Sequence, residues 1–264
     1  FIEGGRKNGH DPKVLEKIWT DWEKFASYAF NKSHATCYSW VAYQTAYLKA
    51  NYPSEYMAAV MSRSLSNITD ITKLMDECKA MGIQTLGPDV NESNLKFTVN
   101  HDGNIRFGLG AVKGVGEAAV QSIVEERNTN GPFKGIFDFV QRVNLNACNK
   151  KNMECLALAG GFDSFPELKR EQYFAVNSKG EVFLETLMRY GNRYQEDKRA
   201  AINSLFGGAN VVDIATPEIP QGVERWGDLE RLNKERDLVG IYLSAHPLDE
   251  FAIVLDHVCN TRMA

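Results

Sequence analysis

Nothing in this chain offers a membrane span, a secretion signal or a disulfide framework. No stretch comes near the roughly 18 consecutive apolar residues that a spanning helix needs, so no membrane partner is expected. The five cysteines, Cys37, Cys78, Cys148, Cys155 and Cys259, are odd in number, irregularly spaced and form no Cys-x-x-Cys pair. That pattern excludes a disulfide-stapled secreted scaffold and suits reduced thiols in a cytoplasmic protein. The chain opens FIEGGRKNGHD, with no initiator methionine, charged n-region or apolar h-region, and reads as a piece of a longer protein. Excess positive charge is missing too. A formal net charge of -4 and a pI near 5.8 argue against a surface that binds nucleic acid by bulk electrostatics alone. His34 and Cys37 have metal-ligand chemistry, but no second pair stands near them, so both read as ordinary helix residues and no metal site is expected.

What is present is mostly helix, with 44% hydrophobic residues to pack it. Val14, Ile18, Trp22 and Phe25 recur as one apolar stripe, a break follows at 28–33, and a second helix is expected from His34 to Asn51. Pro53 suits the first turn of a third helix, SEYMAAVMSRSL. A fourth carries Ile71, Leu74, Met75, Cys78 and Met81 on one side and is closed by Gly82. Then LKFTV and NIRFGL flank His101-Asp102-Gly103 as a β-hairpin.

The stretch that follows, LGAVKGVGEAAVQSIVEE from Leu109 to Glu126, is the most informative. A short helical turn, a Gly114-Val115-Gly116 hairpin and an amphipathic helix from Glu117 make a helix-hairpin-helix pattern. Glycines permit close backbone approach and unusual φ angles, while the first turn of the helix offers unpaired N–H groups and the positive end of its dipole. Such a hairpin holds a phosphate backbone without reading bases. Val115 is expected to plug the hairpin into the core, with Val112, Val120, Ile123 and Val124 on the inner face. Lys113 adds local positive charge. The plainer alternative is a helix–turn–helix corner that needs glycine only for its turn.

Beyond it, GPFKGIFDFVQRV reads as a turn and short helix, and NKKNMECLALAGGFDSF as a second helix. Together they resemble a degenerate second helix-hairpin-helix, with Lys150-Lys151 and Gly160-Gly161 as remnants of a phosphate site. A charged helix is expected from Glu181 to Ala201. Residues 204–222, SLFGGANVVDIATPEIPQG, hold glycine and proline but no lysine or arginine, and read as a linker. The last segment, DLERLNKERDLVGIYLSAHPLDEF, reads as a helix running into a strand-like GIYLS.

Five blocks in this order, FNKSHATCYSWVAYQTAYLKANYPSEYMAAVM, DECKAMGIQTLGPDVN, LGAVKGVGEAAVQSIVEERN, LALAGGFDSF and ERDLVGIYLSAHPL, resemble the C-family of bacterial replicative DNA polymerases. The resemblance covers nearly the whole chain and is weakest between Phe165 and Trp226. It implies a mainly α fold: a multi-helix portion of the fingers with a small β-hairpin, then a tandem helix-hairpin-helix. Residues 1–66 resemble the end of the fingers and 67–108 its continuation. Residues 109–178 resemble the unit that grips duplex, 179–225 a helix and clamp-binding linker, and 226–264 the approach to an OB-fold domain outside this chain.

The resemblance also assigns roles. FNKSHA lies near the incoming nucleotide, which makes Lys32 and His34 candidates for the triphosphate and Tyr28, Phe30 and Tyr38 for packing around the base pair. Lys113, Gly114, Val115, Gly116, Glu117, Lys150, Lys151, Gly160 and Gly161 are the candidates for duplex and primer-template DNA. INSLFGG at 202–208 stands where a sliding-clamp (beta) peptide sits. Leu205 and Phe206 match its apolar anchor, and Ile202 replaces the expected glutamine. Those two apolar residues could instead fasten the linker to its own domain. Other replicase subunits are expected to bind through regions outside this chain. The family's paired aspartates, which hold two Mg2+ ions, are implied upstream of residue 1. No Asp-x-Asp occurs in this sequence, so no catalytic residue and no cofactor is expected in the piece itself.

Two rival readings remain. In a helix-hairpin-helix DNA glycosylase, Asp138 would stand at the right distance after Gly116, but it lies inside the apolar pattern IFDFV and no catalytic lysine accompanies it. A non-enzymatic DNA-binding scaffold shares every local feature.

Overall fold

The computed structural model describes residues 1–29, 32–65, 67–203, 214–251 and 257–258, with side chains left undescribed at 27–29, 32, 202, 203 and 250. The chain divides into two compact units, Phe1–Pro53 and Ser54–Ala264, a boundary inside the 1–66 segment drawn from the sequence.

The first unit is helical: α1 (Ile2–Lys7), α2 (Pro12–Ala29) and α3 (Lys32–Asn51). Its packing centres on α1 against α2, where the Leu15 side chain lies against Gly5 in space that no β-carbon could share. Leu15 is the one buried residue among the described residues of this unit. The stripe Val14, Ile18, Trp22, Phe25 therefore lies on the surface, and Phe1 rests on Trp22 with ring centroids 4.8 Å apart. Along α3, Tyr38, Trp40, Val41, Tyr43 and Tyr47 are all exposed.

The second unit holds the continuous core. Helix α4 (Pro53–Arg63) starts on the proline, whose missing N–H costs nothing at a first helical turn, and buries Met57, Ala58 and Met61. Helix α5 (Ile68–Ala80) is capped at both ends by its own sequence. The Asn67 side chain accepts from the Asp70 N–H at 3.3 Å. Past the other end, Gly82 at φ +75 lets its own N–H reach Lys79 O and that of Ile83 reach Cys78 O, closing the last carbonyls.

Strands β2 (Thr98–Val99) and β3 (Ile105–Arg106) form the antiparallel hairpin, tightened by the Asn100 side chain, which accepts from the Asp102 and Asn104 N–H groups at 3.0 Å. A further strand, β1 (Thr85–Leu86), pairs parallel to β3 and makes the sheet order β1-β3-β2. Two residues carry no alternation signal, so β1 is invisible locally and arises only because β3 returns beside it.

A 3-10 turn at Leu109–Ala111 leads to α6 (Glu117–Asn130), followed by α7 (Ile136–Arg142), α8 (Lys150–Ala159) and α9 (Phe183–Asn203). The fold is thus mainly α with one small sheet, as the sequence implies. Val112, Val115, Val120 and Ile123 are buried, and Val124 packs half-buried against them. Helix α9 crosses α7 at Gly191, where an added β-carbon would lie 2.6 Å from Val140 O. Helix α10 (Asp228–Val239) packs on α8. The following GIYLS is not a strand. Its Leu243 and Ser244 N–H groups instead donate to the Glu235 carboxylate, at 3.0 and 2.8 Å. No described helix is long and apolar enough to cross a membrane.

Candidate nucleic-acid interface

The hairpin between Val112 and Glu117 is held from three sides. Val115 enters the core at 8% exposure and donates its N–H to Val112 O at 3.1 Å. The Lys113 N–H donates to Leu238 O at 2.9 Å, tying the hairpin to the end of α10. The Gly116 N–H donates to Asn152 Oδ1 of α8, also at 2.9 Å. With these amides taken, the N–H groups of Gly114, Glu117 and Ala118 have no acceptor among the described residues, and all three residues are exposed. Glu117 and Ala118 are the first residues of α6, so their amides sit at the positive end of its dipole.

The two glycines do different things. Gly114 has φ +87, in the left-handed region, and an added β-carbon would lie 2.6 Å from Cys155 Sγ. Gly116 has φ -79 and ψ 150, which any residue adopts, and an added β-carbon would meet nothing nearer than Asn152 Oδ1 at 4.0 Å. The expectation of an unusual φ holds for Gly114 and not for Gly116. What Gly116 contributes is an open face.

Lys113 is exposed on the hairpin, and Lys151 runs alongside it, with its Cε 3.7 Å from where a Gly114 β-carbon would be. Lys150 points into another pairing: its ammonium bonds Glu185 directly and lies 3.8 Å from Glu154. The hydrogen bond to Glu185 holds the Lys150 pKa above its usual value. The Cys155 thiol is pushed up by burial, with Lys151 opposing in part. The sequence pairs Lys150-Lys151 with Gly160-Gly161 as one phosphate site, and here a correction is needed. The glycines lie at the other end of α8, with Gly160 as its left-handed C-cap at φ 87. Both are buried, and the Gly160 face is filled by Arg170, whose Nη2 would lie 2.3 Å from an added β-carbon. A helix C-terminus presents carbonyls, which repel phosphate.

Arg170, itself buried, joins a buried carboxylate and an exposed one. It donates to Asp163 from Nε at 2.9 Å and to Glu235 from Nη1 at 2.8 Å, with Glu235 1% exposed. Burial works against the guanidinium charge, but the hydrogen bonds to Asp163 and Glu235 outweigh it and raise the Arg170 pKa.

Asp138 accepts from the Lys134 N–H and pairs with Arg142 at 2.9 Å, a structural role that leaves it bound inside α7's own ion pair. Among the nucleotide candidates, His34 and Tyr38 face each other on α3 with ring centroids 4.3 Å apart. Tyr28 and Lys32 lie on α2 and α3, and Phe30 falls outside the described residues. Ile202 lies in the last turn of α9, while Leu205 and Phe206 lie outside the described residues. No group of three or more His, Cys, Asp or Glu able to hold a metal occurs among the described residues.

Asn152 and Leu238 are the residues that sequence reasoning misses. Asn152 reads as a polar residue in the first turn of a helix, and a backbone carbonyl leaves no signature at all.

A hairpin with free amides at a helix N-terminus, flanked by lysines and doubled by a second helical pair, defines a helix-hairpin-helix unit. Residues 82–173 match the family described as helix-hairpin-helix motif. Over its whole length the chain fits a fragment of the alpha subunit of bacterial DNA polymerase III. It is 38% identical over 266 residues to that subunit of Vibrio cholerae, covering 100% of this chain and 22% of the relative. For Chlamydia muridarum the figures are 41% over 257 residues, 94% and 20%. For Pseudomonas aeruginosa they are 38% over 263 residues, 95% and 22%. The chain thus spans about a fifth of the length of the relatives it matches.

Proposed function

We propose that this chain is the duplex-holding part of a replicative DNA polymerase subunit, and that residues 109–178 grip the phosphate backbone without sequence preference. The observation that carries the reading is the set of free N–H groups of Gly114, Glu117 and Ala118 between Lys113 and Lys151. Amides and a dipole end bind a phosphate oxygen wherever it lies on the duplex, and a contact of that kind carries no sequence information. Few phosphates are neutralised, so the affinity is modest and falls with salt.

Fluorescence anisotropy of short duplexes of differing sequence tests this. Affinities should agree across sequences, and the combined Lys113→Ala and Lys151→Ala variant should bind more weakly with a shallower salt dependence, by roughly one unit of slope per lost phosphate contact. Strong preference for one sequence, or binding untouched by the double variant, contradicts the reading.

The parent activity is proposed from the relatives' name: DNA-directed DNA polymerisation, with Mg2+ and the catalytic aspartates outside this sequence. Lys32, His34, Tyr28, Phe30 and Tyr38 are proposed near the incoming nucleotide. Ile202, Leu205 and Phe206 are proposed as the sliding-clamp contact, a small interface anchored on two apolar side chains. Replacing Leu205 and Phe206 by alanine should abolish binding to the cognate clamp in calorimetry while duplex affinity stays unchanged. Unchanged clamp affinity would make those side chains a fastening of the linker.

A further inference from the structure

Asn152 is 6% exposed, and both ends of its amide are used. Oδ1 accepts the Gly116 N–H of the first hairpin at 2.9 Å, and Nδ2 donates to Ala147 O in the loop before α8 at 3.1 Å. Its own N–H donates to Asn149 Oδ1 at 3.2 Å, so the residue is fixed by the cap of α8 as well. These partners settle which end of the amide is oxygen, because one is a donor and the other an acceptor. A single side chain therefore joins the N-terminal end of α6 to that of α8. Both ends carry positive dipole charge, which favours keeping them apart, so a neutral amide that satisfies one donor and one acceptor is well suited to hold them together.

We propose that Asn152 is a positioning residue for the duplex contact: it clasps the two hairpins so that the free amides of Gly114, Glu117 and Ala118 face the same phosphate. The inference rests on the duplex-holding reading above. Asn152 does not touch DNA, since its amide is buried and engaged at both ends. It acts through Gly116, whose φ and ψ are ordinary and whose N–H has no acceptor among the described residues besides the Asn152 side chain.

In the full chain, Asn152→Ala should keep its circular dichroism and most of its melting temperature. The Gly116 amide, followed by NMR hydrogen exchange, should lose protection. Duplex Kd should rise roughly five- to ten-fold, as loss of the hydrogen bond to Gly116 implies, with the salt slope unchanged because no phosphate contact is removed. The Lys113→Ala and Lys151→Ala double variant separates the two claims. If it weakens binding and the folded Asn152→Ala protein does not, the clasp is wrong and the hairpin reading stands. If neither weakens binding, both fail. Should Asn152→Ala not fold, the near-isosteric Asn152→Asp still accepts from Gly116. It should keep the Gly116 amide protected and bind duplex more weakly at low salt, converging on the parent protein as salt screens the added charge. A deficit that persists at high salt while the Gly116 amide stays protected, or parent-like binding with that amide exposed, overturns the proposal.

Discussion

Single residues in this molecule divide by whether their partners are near or far in sequence. Glu235 is the clearest case of the second kind: it is 1% exposed, accepts from the Leu243 and Ser244 amides and the Ser244 hydroxyl, and neutralises Arg170. Removing one partner of a buried pair leaves a charge without compensation. Glu235→Ala should therefore cost about 3 kcal/mol or more of unfolding free energy, measured by urea denaturation. A loss below about 1 kcal/mol, the range of surface pairs, would mean that Asp163 suffices for Arg170. Thiol chemistry gives a second residue-scale expectation. Burial pushes the Cys148 thiol up to about 12, so at pH 8 on the order of one molecule in ten thousand carries the reactive thiolate. Among Cys37, Cys78, Cys148 and Cys155, iodoacetamide should label the exposed Cys37 first and Cys148 only on unfolding, as peptide mass spectrometry reads it. Early labelling of Cys148 would show that its surroundings open in the native protein. Glu117 gives a third: it is the acidic residue of the first turn of α6, exposed beside the free amides, and Glu117→Gln should strengthen duplex binding two- to three-fold at low salt, roughly what one screened like charge is worth.

At the scale of elements, what the sequence declares is what its own neighbours decide. Helix α5 is legible from Asn67 to Gly82 because its caps are local side chains and a local glycine, and the β2–β3 hairpin because Asn100 and Gly103 make the turn. The hairpin before α6 is legible for the same reason. β1 is not, because its hydrogen bonds go to a strand about twenty residues on, which no two-residue pattern announces. GIYLS has β-branched and aromatic residues that favour a strand, yet the Glu235 carboxylate takes the amides a strand would need. The pairing of Gly160 with Lys150 fails because helix length, about 1.5 Å per residue, puts them at opposite ends of α8. Gly191 marks a crossing where α7 and α9 need a missing side chain. Gly191→Ala should destabilise the protein by about 1–3 kcal/mol, since the new methyl meets Val140 O and the Leu145 side chain, and a thermal melt reads the loss. An unchanged melting temperature would mean that α7 and α9 can separate slightly without cost.

The whole molecule combines one unit with little buried apolar surface and one with a continuous core. In the first, the rings of α2 and α3 are displayed outward, so their regular spacing reports helix and not burial. In the second, α10 returns to the hairpin through Leu238 and to the charge cluster through Glu235. The unit proposed to grip DNA is thus wider than residues 109–178, and its breadth was hidden because a carbonyl and a buried carboxylate, 65 residues from Arg170, supply the ties. The relatives are polymerase subunits, and primer extension with Mg2+ and all four nucleotides should give no product with this chain alone. Extension free of contaminating polymerase would place the catalytic aspartates among its own residues.

The central claim is that backbone amides at the hairpin meet a phosphate at close range, and Gly116→Val tests it most directly. Gly116 has an ordinary backbone and open space beside it, so valine leaves the fold intact while placing bulk over the amides. Anisotropy against a short duplex, with circular dichroism as the control for folding, should show most of the affinity lost. A folded Gly116→Val protein that binds duplex as the parent does would contradict the account.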